Sequence, residues 1–324
     1  MPSIRAIRVH EFGGPEQMRL EQIELPEPAA GEARIRHTAI GLNFIDIYER
    51  TGLYPLKLPM GLGREAAGVI EQLGRGVRGF KVGDRIAYAI PQAGAYAEHR
   101  NVPASRLVPV PDAVSDEVAA AVLLKGLTAQ ALVRRIFPLK RTHSALIHAA
   151  AGGVGSLLVQ WALHLGAKVI AIVGSEQKAN LVRAQGAEHV LLGQSNWPEE
   201  VKHMTNGGVD VVYDSVGKDT FAGSLASLRP RGMMVTYGNS SGPVPPLAPL
   251  ELARHGSLFL TRPVLFDYIR TRAELTRAAA ELFGLIGASV LKVHIGARYA
   301  LADVMRAHED LAARKTTGST VLLP

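Results

Sequence analysis

The 324-residue chain contains no cysteine. That removes disulfides, thiolate nucleophiles and every zinc site built on cysteine. Its eleven histidines are scattered and form no His-x-x-x-His or His-Glu-x-x-His pair, so a metal centre made of protein ligands is not expected. Long apolar runs are missing too: Val118–Leu124, for example, stops at Lys125, well short of a membrane span. The N-terminus alternates Ile4, Ala6 and Val9 with Arg5 and Arg8, which reads as a strand and not as a secretory leader. A cytoplasmic location without membrane contact is the expectation. Lys and Arg outnumber Asp and Glu by 36 to 29, but the basic residues are dispersed. The densest cluster, Arg134-Arg135 with Lys140-Arg141, has a single aromatic, Phe137, between its pairs and forms no stacking platform, so nucleic acid is not expected as the main partner.

What is present divides into two kinds of sequence. Up to about Leu107 short strands are punctuated by Gly and Pro, with Met18–Leu25, Arg34–Ile40 and Ala67–Leu73 as strands. Gly13-Gly14-Pro15, Gly74–Gly79 and Val82-Gly83-Asp84 are turn chemistry, which predicts an irregular β domain. After Pro111 a helix is predicted from Ser115 through Leu124, continuing over Thr128–Arg135. From Ala145 onward buried strands alternate with helices. The predicted strands are Ala145–Ala149, Lys168–Val173, His189–Leu192, Val209–Asp214 and Met233–Tyr237, with helices at Ser156–Leu165 and Gln177–Gln185. Such alternation predicts a parallel sheet wound by right-handed crossovers. A helix at Arg272–Leu285 and strands near Tyr299 and at Ser319–Leu323 follow. The fold class is α/β, and the last stretch is expected to return to the first domain.

The sharpest motif is Ala149-Ala150-Ala151-Gly152-Gly153-Val154-Gly155, between a predicted strand and a predicted helix. In a dinucleotide-binding turn, small residues let the backbone approach a pyrophosphate, and the helix N-terminus supplies N–H donors and partial positive charge. Ala150, Gly152 and Gly155 take the three positions of G-x-G-x-x-G. An NAD-preferring site places an acid at the end of the next strand, to bind the ribose hydroxyls. Here Val173 is followed by Gly174-Ser175, with Lys178 one helical step on. That combination favours the 2′-phosphate of NADPH, although Glu176 intervenes.

Further motifs run through the chain: Gly13-Gly14-Pro15-Glu16, Gly41-Leu42-Asn43-Phe44-Ile45-Asp46-Ile47-Tyr48, Gly52-Leu53-Tyr54-Pro55 and Gly63-Arg64-Glu65-Ala66-Ala67-Gly68. Later come Val82-Gly83-Asp84-Arg85, Gly94–Glu98, Leu124-Lys125-Gly126-Leu127-Thr128, Asp214–Gly217 and Gly238–Gly242. With these the chain resembles, nearly end to end, the medium-chain dehydrogenase/reductase superfamily, and within it the zinc-free NADPH:quinone reductases related to ζ-crystallin.

The resemblance implies a GroES-like β domain over 1–124 and 266–324, holding substrate, and a Rossmann domain over 125–265, holding NADPH. It implies an interdomain active site and a homodimer. Asn43 and Tyr48 would line the nicotinamide end, with Thr128 beneath it. Gly152, Gly153 and Val154 would hold the pyrophosphate, and Gly174, Ser175 and Lys178 the adenosine ribose and its phosphate. Tyr237, Gly238, Asn239, Ser240 and Arg262 would close over the nicotinamide, with Arg314 as a lesser candidate. Zinc-dependent relatives carry a cysteine near Asn43 and a Gly-His-Glu triplet where this chain has Gly63-Arg64-Glu65. Close relatives also place a tyrosine by the 2′-phosphate where this chain has Gly193, which weakens the NADPH expectation.

Without a Lewis acid an alcohol is hard to activate, whereas a quinone accepts hydride readily. Hydride transfer to a quinone is therefore the expected reaction. The alternatives are an enone, enal or enoyl acceptor and, further off, an RNA-binding or structural crystallin-type role. Tyr48 is the candidate proton donor, and an aromatic wall of the pocket is its equal alternative. Gly238-Asn239-Ser240-Ser241-Gly242 also spells the hydrolase G-x-S-x-G, but Pro243, Pro245 and Pro246 cannot continue the helix that a nucleophile elbow requires.

Overall fold

The computed structural model describes residues 2–194 and 196–324. The chain forms two compact units. Unit 1 comprises Met1–Leu127, Ile269–Gly287 and Val293–Pro324; unit 2 comprises Thr128–Tyr268 and Ala288–Lys292.

Unit 1 opens with strands β1 (Ser3–Val9), β2 (Met18–Glu24) and β3 (Glu32–Leu42), then helix α1 (Phe44–Arg50). Strands β4 (Met60–Gly61), β5 (Glu65–Leu73), β6 (Arg85–Ala89), β7 (His99–Pro103) and β8 (Leu107–Pro109) lead to helix α2 (Asp116–Ala131). Alternation places Ile35, Ile70 and Ile86 with Leu62, Tyr88 and Tyr96 in one core, each at most 1% exposed. Close approach of β3 and β5 depends on Gly68, where a Cβ would lie 2.1 Å from the carbonyl oxygen of Arg36.

In unit 2, β9 (Ser144–Ile147), α3 (Gly153–His164), β10 (Lys168–Val173), α4 (Glu176–Arg183) and β11 (His189–Leu192) come first. They are followed by α5 (Trp197–Thr205), β12 (Val209–Asp214), α6 (Phe221–Ala226), β13 (Leu228–Thr236), α7 (Pro249–Arg254), β14 (Phe259–Thr261) and α8 (Leu265–Tyr268). The strand order is β11-β10-β9-β12-β13-β14, all parallel, so unit 2 is a doubly wound Rossmann sheet. Its strands bury runs such as Val169–Val173 on both faces, as parallel sheets require.

The chain then adds α9 (Arg272–Gly287), β15 (Ile295–Ala300), α10 (Val304–Ala312) and β16 (Ser319–Leu323). Strand β16 pairs antiparallel with β3, closing the sheet order β15-β16-β3-β5-β6-β8 in unit 1. Among the described residues no helix is long and apolar enough to cross a membrane.

Two local expectations are corrected. Strand β9 ends at Ile147 and not Ala149, because Ala149 turns left-handed at φ 49°. Helix α3 begins at Gly153, three residues early, since the glycine run itself forms its first turn. The helix expected over Thr128–Arg135 is formed, as an α-helix to Ala131 and a π-helix over Leu132–Ile136.

Replacing Gly68 by alanine forces β3 and β5 apart, because the obstructing atom is backbone and cannot rotate away. The expected cost is about 1–3 kcal/mol, seen as a lower urea midpoint with an unchanged slope.

Candidate active site

In unit 2 the candidate cofactor residues gather at the carboxyl ends of the parallel strands. Gly152 caps α3 with extended backbone and no capping side chain, so the helix N-terminus stays available to an anion. A Cβ on Gly155 would lie 2.3 Å from the Ala149 carbonyl oxygen, which is the close strand–helix packing expected of the motif's last glycine. Beyond β10, Ser175 caps α4 and its Oγ accepts the Lys178 N–H at 3.4 Å. Glu176 is held by an ion pair with Arg183 on the same helix, seven residues on. Nothing lies within 4 Å of a Cβ built on Gly174.

Beyond β13, the segment Tyr237–Ser240 rests on the loop after β12. Tyr237 donates to the Asp214 carbonyl at 2.8 Å and Ser240 to that of Ser215 at 3.2 Å. Arg262, just past β14, donates to Thr236 Oγ1 and to the Gly238 carbonyl, both at 3.0 Å. The structure thus joins Tyr237, Gly238, Asn239, Ser240 and Arg262 in one loop cluster. No helix follows Ser240 until α7 at Pro249, so the nucleophile-elbow geometry is not formed.

Sequence reasoning passed over the support beneath these loops. His148, fully buried, precedes the glycine turn, and its Nε2 lies 2.9 Å from Ser224 Oγ. Ser224 in turn donates to Asp214 Oδ2 at 2.9 Å. The serine's single proton goes to the carboxylate, so the histidine is the donor to serine. Burial holds the His148 imidazole below its usual value, with the nearby Asp214 opposing this. The signal available was the position of His148 directly before the turn.

In unit 1, Asn43 caps α1 and Tyr48 lies on that helix, both nearly buried. The Asn43 amide donates to Glu65 Oε1 at 2.8 Å. Tyr48 meets Tyr54 edge-to-face, with centroids 5.3 Å apart, and Phe44 at 6.2 Å. Arg64, at the position of the triplet's histidine, is ion-paired with Glu49. Thr128 lies on α2. Arg314 is exposed, just past α10, with φ 58°.

Asp46 is the acid three residues after the Asn43 cap. Its Oδ2 accepts the Asn43 N–H at 2.9 Å and the Tyr96 hydroxyl at 2.7 Å. His308 Nε2 lies 3.1 Å from the same hydroxyl. Burial, aided by the neighbouring Glu49 charge, pushes the Asp46 carboxyl up from 3.8 to about 7. Burial holds His308 down at about 3.

Residues 29–112 match the family described as alcohol dehydrogenase GroES-like domain, and residues 153–284 match zinc-binding dehydrogenase. A Salmonella typhimurium quinone oxidoreductase is 49% identical over 98% of this chain and 99% of its own length. The chain belongs to the quinone oxidoreductase family of medium-chain dehydrogenases/reductases. Its fold is accordingly a GroES-like β domain with a Rossmann domain. A 2-haloacrylate reductase from a Burkholderia species is 43% identical over 99% of both chains. The Escherichia coli quinone oxidoreductase crystallised with NADPH superposes with a TM-score of 0.97 at 46% identity, covering 99% of this chain and all of that one.

The Asp46 geometry sets a pH dependence of stability. Its folded value lies above its unfolded one, so its contribution is complete below about pH 4 and is lost as pH rises through about 7. Relative to Asp46→Asn, the wild type should therefore lose stability between pH 4 and pH 8. Urea denaturation of both proteins at those two pH values checks the sign; a constant difference contradicts it.

Proposed function

We propose that the protein is an NADPH-dependent quinone oxidoreductase acting without a metal. The observation that carries this reading is the end of β10, where Gly174 and Ser175 replace an acid, in a chain 46–49% identical over its length to quinone oxidoreductases. Bound NADPH supplies the hydride. Gly152, Gly153 and Val154 hold the pyrophosphate with backbone N–H groups at the start of α3, and the α3 dipole favours that charge. Ser175 and Lys178 face the ribose phosphate, while Arg183 holds Glu176 in an ion pair. Tyr237–Ser240 and Arg262 are the candidate nicotinamide contacts, and Asn43 and Tyr48 the candidate acceptor contacts.

Neither the Asn43 carboxamide nor the Arg64 guanidinium suits Zn²⁺, and the Glu65 carboxylate is already engaged by Asn43 and Lys125. A quinone does not require the metal, because its reduced oxygens share charge with the ring. The 2-haloacrylate reductase likeness favours one second reading, a conjugated acid or carbonyl as acceptor. Unit 2 presents Phe259 and Leu260, 58% and 38% exposed, on edge strand β14. An exposed apolar edge of this kind supports a homodimer. The need for NADPH supports a cytoplasmic location.

The deciding experiment is a screen of quinones, enones and saturated aldehydes with both nicotinamide cofactors. NADPH should exceed NADH in kcat/KM by about 10- to 150-fold, the worth of one charged hydrogen bond. Lys178→Ala should erode that ratio through KM for NADPH. Gly174→Asp, which meets no steric obstacle, should reverse it. Benzoquinone and naphthoquinone should be reduced much faster than aldehydes, with chelators having no effect. A wild type that prefers NADH, or turnover that requires zinc, overturns the reading; enones outrunning every quinone would favour the second one.

Reduction to hydroquinone takes two electrons and two protons, and the hydride carries both electrons with only one proton. Tyr48 is proposed as the donor of the other. Tyr48→Phe should lower kcat on the order of 10²-fold. A change confined to KM would make Tyr48 a wall of the acceptor site.

A further inference from the structure

Glu65 opens β5 with no exposure to solvent. Its Oε1 accepts from Asn43 Nδ2 at 2.8 Å and from Lys125 Nζ at 3.0 Å; its Oε2 accepts from the Leu124 backbone N–H at 2.6 Å. The ammonium of Lys125 and the carboxamide of Asn43 therefore converge on one oxygen, less than two hydrogen bonds apart. The bond to Leu124 clamps helix α2 at the residue directly before Lys125. Even β3 is shaped to this carboxylate, for a Cβ on Gly41 would lie 2.3 Å from Glu65 Oε1.

A lysine side chain only 7% exposed is a poor device for stability, because desolvating an ion pair costs about what the pair returns. Apolar residues of similar volume would serve a core at least as well. An ammonium also has three N–H donors, and Glu65 is the acceptor of one of them; no other acceptor for this ammonium occurs among the described residues. A cation held in a fixed place with donors to spare is suited to an oxygen on which charge appears only during reaction.

We propose that Lys125 stabilises the negative charge developing on the acceptor oxygen during hydride transfer, with Glu65 as the positioning residue that fixes it beside Asn43. The assignment rests on the reading of Asn43 as lining the acceptor site. When hydride reaches the quinone, its electron pair leaves one oxygen as an anion. Lys125 donates a hydrogen bond to that oxygen and keeps its own proton, and the second proton of the hydroquinone arrives separately. The ammonium thus serves in place of a Lewis acid, and Glu65 keeps it from swinging to bulk water.

Lys125→Met alone leaves the Glu65 charge buried without its counter-ion, so the informative variant is Lys125→Met with Glu65→Gln, which removes both charges and keeps one acceptor oxygen, for either Asn43 or the Leu124 N–H. Its kcat for benzoquinone should fall on the order of 10²-fold, with KM for NADPH close to wild type. The loss should grow across a series of acceptors as their reduced oxygens become more basic, which a packing role would not produce. Lys125→Arg should recover most of the rate. A double variant with unchanged kcat, or a loss equal for every acceptor, overturns the proposal alone. Wild-type protein that reduces no quinone with NADPH overturns the underlying reading and the proposal with it.

Discussion

A carboxylate wholly removed from water must be answered on both of its oxygens, and the arrangement of the candidate acceptor site in unit 1 follows from how Glu65 is answered. Its three donors come from two places in the chain: Asn43 at the start of α1, and Leu124 and Lys125 in α2. Losing any one of them would leave charge or a lone pair stranded, at a cost of about 1–3 kcal/mol or more. The carboxylate therefore fixes the cap of α1, the register of α2 and the strand that carries both against β3. Tyr48 is placed by the same chain of constraint, because its helix starts at the residue Glu65 holds. Asp46 adds a second hold on that cap from the opposite side, through Tyr96 and His308.

Unit 2 reaches a comparable rigidity by other means. There the candidate cofactor surface is mostly backbone, and closeness is secured by what residues lack. Gly155 and Gly238 admit neighbouring carbonyls at distances that a Cβ would forbid. Beneath them Asp214 accepts from four donors: the N–H groups of Val216 and Gly217 and the hydroxyls of Thr220 and Ser224. Through Ser224 the same carboxylate reaches His148, so the loops after β9 and β12 share one support. Backbone donors suit a pyrophosphate, whose charge is spread over several oxygens. A single ammonium suits an acceptor whose charge appears on one.

Strands of the parallel sheet were legible from their apolar runs: Lys168–Val173, His189–Leu192 and Val209–Asp214 have the bounds read from the sequence. Helix α1 was less so. Its cap and acid, Asn43 and Asp46, have capping-box spacing, yet the helix is only seven residues long and shows too little of its period to be seen. Ends were less legible than middles, since the turn at Ala149 depends on a left-handed conformation that alanine does not advertise. The glycine turn and the acid-free end of β10 could be read as chemistry because both are local. Lys125 could not, for its partner Glu65 lies sixty residues away, and only the pairing of β5 beside α2 makes the two a unit.

The end of β10 shows how local electrostatics and helix geometry combine. An acid beside a phosphate is unfavourable, and Glu176 stands in the first turn of α4, next to Ser175 and near Lys178. Seven residues are close to two helical turns, so Arg183 lies on the same face and reaches back to pair with it. The pair is exposed, and its own energy is small. Its consequence is directional: the glutamate's charge is drawn along α4 toward the helix C-terminus, away from the N-terminal N–H groups. Ser175 then caps the helix as a neutral acceptor, and the positive end of the helix dipole lies next to Gly174. A carboxylate in the motif is thus compatible with an anion at the helix start, because the next basic residue on that face takes up its charge.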